Sequence, residues 1–327
     1  MKQNQNNIII GIDTSCYTTS IAAISLDKKV IFNEKILLKV KKDSKGLRQS
    51  EAVFQHINNL GEIDSKIKSI INKYNVVGIC ASTKPRPIKK SYMPVFTVGY
   101  NFSKLCSTMI GCDLYETTHQ ENHIEASLLN NKLNEERFLS VHMSGGTTEI
   151  LLCTKNKESY DIEIVGGSKD ISFGQLIDRV GVKMGYDFPC GKYIDENALN
   201  CKSIIKQGLK TSVKEGYMNL SGLENQIDNI INDCDKEYIS KLVLDAVVRN
   251  MIKSIEYISK EYNIKDIVFA GGVSASKYIS KGLTNRLRKY KINAYFTKPE
   301  YATDNAVGCA LIGVKKFENK SLNYKRS

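Results

Sequence analysis

Apolar runs that break into glycine and small hydroxyl residues set the rhythm of this chain. Ile8 to Ile10 runs through Gly11-Ile-Asp-Thr-Ser-Cys16 into Ser20-Ile-Ala-Ala-Ile24, which reads as strand, tight polar turn, strand. The pattern recurs where Phe138 to Met143 leads through Ser144-Gly-Gly-Thr-Thr148 into Glu149-Ile-Leu-Leu-Cys153. Between the two copies, helical periodicity covers residues 50–73 and 97–109, with a strand over 76–82. After the second copy the pattern predicts a helix over 172–184, a Gly/Pro break, and helices through 225–262 ended by Asn263. Strands follow over 267–270 and 293–296, and Tyr301-Ala-Thr-Asp304-Asn305 leads into a helix rich in small residues over 306–316. Strands alternating with helices predict an α/β fold, and the repeated hairpin predicts two lobes related by duplication. The expected organisation is a first lobe over 1–128, a second over 129–304, and a C-terminal helix over 305–327 that returns to the first. The boundary is expected in the polar linker over 128–136.

Composition narrows the setting. A chain of 327 residues is long enough for two self-sufficient cores. Its nine cysteines form no Cys-x-x-Cys pair, so neither a disulfide framework nor a zinc ribbon fits, and the thiols are expected free in a reducing compartment. No signal-peptide core or membrane-length apolar run occurs, which points to a cytoplasmic protein with no membrane partner. Lys and Arg exceed Asp and Glu by 47 to 35, a net charge of +12 that favours anionic partners. The lysines read as scattered, with only Lys84 to Lys90 (KPRPIKK) dense, and no RNA-module signature is present.

Glycine-and-hydroxyl turns leave backbone N–H groups free to meet phosphate oxygens. The turn Gly11-Ile-Asp13-Thr-Ser15 adds a carboxylate able to hold a metal or a water, and Ser144-Gly145-Gly146-Thr147 is a plain anion nest. A lone Gly-Gly turn is most simply an ordinary hairpin. A third element changes that reading: Val268-Phe-Ala-Gly271-Gly272-Val-Ser274 is an apolar strand ending in two glycines, where a flat adenine ring can approach backbone. Three such sites in this order describe the two-lobed nucleotide-binding layout of actin, Hsp70 and sugar kinases, the ASKHA fold with duplicated ribonuclease-H-like domains.

His119 and His123, in THQENHIEASL, are four residues apart, so on a helix both imidazoles leave one face and can share a metal ion. Two imidazoles leave room for a carboxylate and for substrate, and Asp304, in a loop before a helix, is the candidate carboxylate. Glu121 falls on another face, and the order His-Gln-Glu-Asn-His is not the His-Glu-x-x-His of zinc proteases. Asp178, on a helix followed by Gly185, Pro189 and Gly191, can bracket a ribose with that turn; taken alone, helix-surface charge before a terminating turn is the better explanation.

At this point the chain resembles the TsaD/YgjD family, the peptidase M22 group long labelled O-sialoglycoprotein endopeptidases, of tRNA threonylcarbamoyladenosine synthesis. The likeness rests on Gly11 to Cys16, the His119 and His123 pair, Ser144-Gly-Gly146, Gly174-Gln-Leu-Ile-Asp178 and Pro189-Cys-Gly191. Ser221-Gly-Leu223, Gly271-Gly-Val-Ser-Ala275 and Thr303-Asp-Asn305 complete it, in family order over nearly the whole chain. The resemblance implies transfer of a threonylcarbamoyl group from its adenylate to N6 of adenosine 37 in tRNA. His119, His123 and Asp304 would hold one Fe or Zn ion. His142, Met143, Ser144, Gly145 and Gly146 would line the phosphate and carbonyl side. Asp178 and Gly191 would meet the ribose, Ser276 the adenine end, and Asp13 is the candidate catalytic carboxylate. ATP or the adenylate, with Mg, would be the nucleotide ligand. Implied partners are tRNA, a smaller TsaB-like paralogue and a TsaE-like ATPase subunit.

The chain departs from the family in four places. Cys16-Tyr17-Thr18-Thr19 stands where the family has Cys-Asp-Glu-Thr, Asp13 replaces a Glu, Ser276 an Asn, and Lys84-Pro-Arg-Pro87 a Pro-Gly-Leu loop. Loss of two acidic residues favours a second reading, a paralogue acting as a nucleotide-binding scaffold or regulator. A metallopeptidase is a third, opposed by the missing general-base Glu beside the histidines.

Overall fold

The computed structural model describes residues 6–15, 17–40, 47–129, 131 and 133–324. Cys16 of the first motif, and residues 130 and 132 of the linker, lie outside the described residues. The chain divides into two units, one of residues 1–129, 156–160 and 304–327, the other of residues 130–155 and 161–303.

Unit one is built from β1 (Asn7–Ser15), β2 (Thr18–Ser25), β3 (Val30–Leu37), α1 (Gln49–Glu62), α2 (Asp64–Ile71), β4 (Asn75–Ser82), α3 (Val95–Ile110), β5 (Asp113–Thr117) and α4 (His119–Leu128). Unit two carries β6 (Arg137–Met143), β7 (Thr148–Lys155), β8 (Tyr160–Ser168), α5 (Phe173–Lys183), α6 (Gly191–Asn200), β9 (Ser212–Lys214), β10 (Tyr217–Asn219), α7 (Ser221–Asp228) and α8 (Lys236–Tyr262). It continues with β11 (Asp266–Ala270), α9 (Lys277–Leu287), β12 (Asn293–Phe296) and α10 (Pro299–Ala302), after which α11 (Val307–Tyr324) belongs to unit one.

Duplication is visible in the sheets. Unit one has strand order β3-β2-β1-β4-β5, and unit two has β12-β11-β6-β7-β8-β10-β9, the same five-strand order with a short extension. In each, the first two strands pair antiparallel (Ser15 with Thr18, Met143 with Thr148) and the first also pairs parallel with a later strand, β1 with β4 and β6 with β11. β1 is packed by α3 and α11, so its residues are buried almost without interruption and it reads as an apolar run rather than an alternation.

Local chemistry sets several boundaries. α8 ends at Asn263, which takes the left-handed conformation at φ +52° and donates its N–H to the Ser259 carbonyl. The helix expected over 50–73 is two, α1 and α2, broken at Ile63, whose side chain turns into the core instead of continuing a surface stripe. One expectation is corrected. Gly11 to Ser15 is not a turn: it lies inside β1, and the hairpin closes only after Ser15. The segment is therefore a buried strand, and Gly11 serves instead as a close-approach point, since a Cβ there would meet the Ala306 carbonyl oxygen at 2.3 Å.

Candidate metal centre and anion turn

α4 begins where it does because Thr118 caps it. The Thr118 hydroxyl accepts from the Glu121 N–H at 3.3 Å, and the Glu121 carboxylate accepts from the Thr118 N–H at 2.8 Å. This reciprocal box commits Glu121 to the cap. The carbonyls of Lys84 and Pro85 accept from the next two helical N–H groups, His119 and Gln120, each at 3.0 Å. His119 and His123 are thereby set one turn apart on one face.

Their ring nitrogens meet the carboxylate that follows them in the chain by some 180 residues. His123 Nε2 lies 3.1 Å from His119 Nε2 and 3.2 Å from Asp304 Oδ1, and His119 Nε2 lies 3.7 Å from the same oxygen. Three donors bound at about 2.1 Å with tetrahedral angles stand about 3.4 Å apart, so the three fit a single ion of the Zn or Fe class. The remaining polar contacts orient this set. His119 Nδ1 lies 3.0 Å from Asp13 Oδ2, and the Ser15 hydroxyl donates to Asp304 Oδ2 at 3.2 Å. A carboxylate on one imidazole nitrogen keeps a proton there and turns the other lone pair toward the ligand position. Burial opposes protonation of His119, but the charge and hydrogen bond of Asp13, with Asp304 adding to them, outweigh it and push its pKa up to about 9.

Asp13, the candidate catalytic carboxylate, has no exposed surface. Oδ1 accepts from the Ser82 hydroxyl and Oδ2 faces His119, so its chemistry runs through His119 rather than through direct contact with a substrate.

Asn122, between the two histidines in sequence, brings Asp304 into place. It is fully buried, donates from Nδ2 to the Asn305 carbonyl at 2.5 Å, and accepts at Oδ1 from the Cys309 N–H at 2.9 Å. One side chain thus ties the metal-face helix to the start of α11. Gly308 lets the two backbones touch, because a Cβ there would stand 1.9 Å from the Asn122 carbonyl oxygen. Neither residue is legible from local sequence: Asn122 reads as a polar helix position, and Gly308 as one more small residue.

In unit two the Ser144–Thr147 turn is open. Gly145 and Gly146 are exposed, with nothing within 4 Å of where a Cβ would stand. The turn is tied at Ser144, Gly145 and Thr147. The Ser172 hydroxyl donates to the Gly145 carbonyl at 2.6 Å, the Gly174 N–H to the Ser144 carbonyl at 3.3 Å, and the Thr147 N–H to the Ser144 hydroxyl at 3.1 Å. His142 is half-buried and stands opposite Glu149 across the hairpin, while the Met143 side chain is wholly in the core. Asp178 Oδ1 accepts from the Cys190 N–H at 2.8 Å, joining it to the residue before Gly191, the exposed first residue of α6. Burial pushes the Asp178 carboxyl up, against the opposing effect of that hydrogen bond. Ser276 caps α9, accepting from the Ile279 N–H at 3.1 Å and donating to Asp195.

Residues 92–311, more than half of the chain, match the profile of TsaD, tRNA N6-adenosine threonylcarbamoyltransferase. The chain belongs to the TsaD family. Over 326 residues this TsaD-family chain is 29% identical to the tRNA N6-adenosine threonylcarbamoyltransferase of Sulfurihydrogenibium sp. (strain YO3AOP1), covering 97% of this chain and 92% of that protein. Its fold is shared with HypF of T. kodakarensis at TM-score 0.63 and 12% identity, over 97% of this chain and 48% of HypF, so it spans about half of that protein. It is shared also with the activator of the 2-hydroxyisocaproyl-CoA dehydratase from Clostridium difficile, solved with bound ADPNP, at TM-score 0.53 and 13% identity, over 96% and 97% of the two chains. These likenesses place the TsaD-family chain in the actin-like ASKHA class read from its sequence.

Proposed function

We propose that this TsaD-family chain transfers a threonylcarbamoyl group from threonylcarbamoyl-adenylate to N6 of adenosine 37 in tRNA. The observation that carries the reading is the meeting of His119, His123 and Asp304 at separations suited to one metal ion. In the transfer, a bond forms between N6 and the carbamoyl carbon, the bond from that carbon to the phosphate oxygen breaks, AMP leaves, and N6 gives up a proton. The adenine amine is a weak nucleophile because its lone pair is delocalised, so placement and electrostatics supply the acceleration. A divalent Fe or Zn ion held by the three residues would act as a Lewis acid toward the carbonyl. Asp13 and Ser15 act as positioning residues, fixing the His119 ring and the Asp304 carboxylate. The exposed Gly145 and Gly146 amides, with Ser144 and His142, take the phosphate side. Asp178 and Gly191 meet the ribose, and Ser276 the adenine end, with Mg accompanying ATP where ATP is the ligand.

Partners follow from the same reading: tRNA, a smaller TsaB-like paralogue and a TsaE-like ATPase. Phe54 and Ile57 of α1, with Phe102, Leu105 and Met109 of α3, support a docking partner, since they recur at helical spacing and remain 37–78% exposed. Among the described residues no helix is long and apolar enough to cross a membrane.

The test is complementation of cells depleted of their own transferase, read by nucleoside analysis of their tRNA. Restored threonylcarbamoyladenosine supports the reading, and its absence with the partner subunits present rejects it. Tyr17 and Thr18, standing where the family carries acidic residues, favour one alternative: a scaffold that binds nucleotide and metal without turnover. Bound metal and nucleotide together with unmodified tRNA would select it.

A further inference from the structure

Unit two holds a second polar feature that the transfer chemistry does not use. A cavity of about 320 Å³ opens where the end of α6, the middle of α8 and one face of α9 meet. Its walls include Lys241, Lys281, Arg286, Asn285, Tyr278 and Cys201, and no acidic side chain lines it. Residues 278, 281, 282 and 285 follow the i, i+3, i+4, i+7 spacing of a single helix face, while Ile279, Leu283 and Leu287 on the opposite side of α9 are buried.

Lys241 and Arg286 are held rather than free to fold away, while Lys281 is exposed on α9. Lys241 Nζ donates to the carbonyls of Cys201 at 3.1 Å and Ser203 at 2.7 Å, which draws that loop against α8 and fixes the ammonium in the wall. Arg286 Nη2 lies 2.5 Å from Asp245 Oδ1, and Arg249 Nε lies 2.6 Å from Asp245 Oδ2. One carboxylate shared by two guanidinium groups leaves one positive charge over. With Lys241 and Lys281 the groove carries a net +3. The surrounding sequence has the same sign. Residues 267–299 contain seven Lys or Arg and no Asp or Glu, and residues 197–214 contain four Lys and none of either acid. Both segments that flank this cavity are thus basic with no offsetting acid, a character they share with residues 65–112 of unit one, which hold eight Lys or Arg and no Asp or Glu. Lys277 and Lys281, both exposed, stand one turn apart on α9, a rise of about 6 Å.

We propose that this α6–α8–α9 groove is a docking surface for the sugar-phosphate backbone of RNA, placing phosphates against Lys241, Lys281 and Arg286. The inference rests on the reading of tRNA as substrate and adds where the polyanion is held. A concave groove with its cations on two packed helices, Lys241 on α8 and Lys281 and Arg286 on α9, suits a strand of phosphates better than a flat lipid surface. Contacts of this kind neutralise phosphates and release counterions, so binding weakens linearly in log salt, with a slope of about 0.7–0.9 per phosphate contacted.

The experiment uses the full chain and a fluorescently labelled, unmodified tRNA transcript, titrated at several salt concentrations. Lys281→Gln/Arg286→Gln is expected to weaken binding about tenfold at low salt and to lower the salt slope by about 1.5–2. Lys281→Gln alone, at an exposed site, is expected to lower the slope by about 1, and it controls for misfolding of the double variant. Lys68→Gln/Lys104→Gln removes the same charge from exposed positions of unit one and is expected to change little. Metal content and adenylate-analogue binding should be the same in every variant, so failure of this proposal is distinct from failure of the transferase reading. Three results would overturn it: an unchanged slope in the groove variants, an equal loss in the unit-one control, or stronger competition from anionic phospholipid vesicles or polyglutamate than from unlabelled RNA at equal charge.

Discussion

The first hairpin of each unit is the same device put to opposite ends. In unit one β1 and β2 stay paired out to Ser15 and Thr18, and the side chains at that end of β1 are buried and committed. Thr14 donates to the Val95 carbonyl and accepts from the Gly99 N–H, Ser15 donates to Asp304, and Asp13 is shared between Ser82 and His119. In unit two the β6–β7 turn spans four residues, its two glycines are exposed, and it is tied to the start of α5 only through the Ser144 and Gly145 carbonyls. Carboxylate, hydroxyl and imidazole groups, locked by one another, build a rigid place for a cation. Glycines that bring no side chain leave amide donors open to an anion. On the proposed reading, a duplicated scaffold acquires a cation site in one copy and an anion site in the other by changing the residues at the end of the first strand and in the turn after it.

The sharpest way to break the contrast is to remove the cation side alone. His119→Ala/His123→Ala is expected to take bound metal from about one per chain to background while leaving nucleotide-analogue affinity in unit two within about twofold. Metal analysis and calorimetry check both, and unchanged metal stoichiometry would sink the assignment. Gly308→Ala attacks the same site through packing. Its Cβ would collide with the Asn122 backbone, so a loss of about 3 kcal/mol in urea unfolding is expected, together with weakened metal retention. Ser172→Ala works on the other turn. It removes the bond to Gly145 and the α5 cap, which also accepts from the Gln175 N–H at 3.0 Å. The expected cost is about 1 kcal/mol, with several-fold weaker adenylate binding and unaltered metal content.

Asp170 offers the smallest effect and a pH signature. Its carboxylate accepts from the N–H groups of Ile171, Leu220 and Ser221, closing the start of α7 from a distant segment. Burial acts to raise its pKa, but these hydrogen bonds prevail and hold it well below the usual carboxylate range. A depressed folded-state pKa gives stability that is present above the unfolded value, near 3.9, and is lost as pH falls toward the folded one. Asp170→Asn should therefore cost about 1 kcal/mol at pH 7, and the gap from wild type should narrow below about pH 4. A gap that stays constant across that range would show that the carboxylate charge contributes nothing.

Period and punctuation made the fold class readable, since strand runs, Gly-rich breaks and amphipathic helices are local signals. The histidine pair was readable for the same reason, being four apart on one helix. What escaped is long-range. α4 has a polar sequence that suggests a surface helix, yet Glu121 to Ser127 are all buried, because α11 and the β8 approach cover it. Glu125 is tolerated there only because Lys315 Nζ stands 2.5 Å away and the Tyr160 hydroxyl donates to it. Asn122 and Gly308 gain their meaning from each other across nearly two hundred residues, which no window of sequence contains. The first turn was misplaced because Gly-Ile-Asp-Thr-Ser carries turn-like residue types inside what is a strand, the local rule failing where polar side chains are gathered for chemistry.

Vectorial synthesis gives the divided layout of unit one a temporal meaning. Both imidazoles and the whole of unit two are synthesised before residue 304, so unit one receives its closing helix only from a segment made after the other unit. On the proposed reading, metal capture at the three-residue set waits for that later segment, and a translation product cut before Asp304 would lack one of the three ligands.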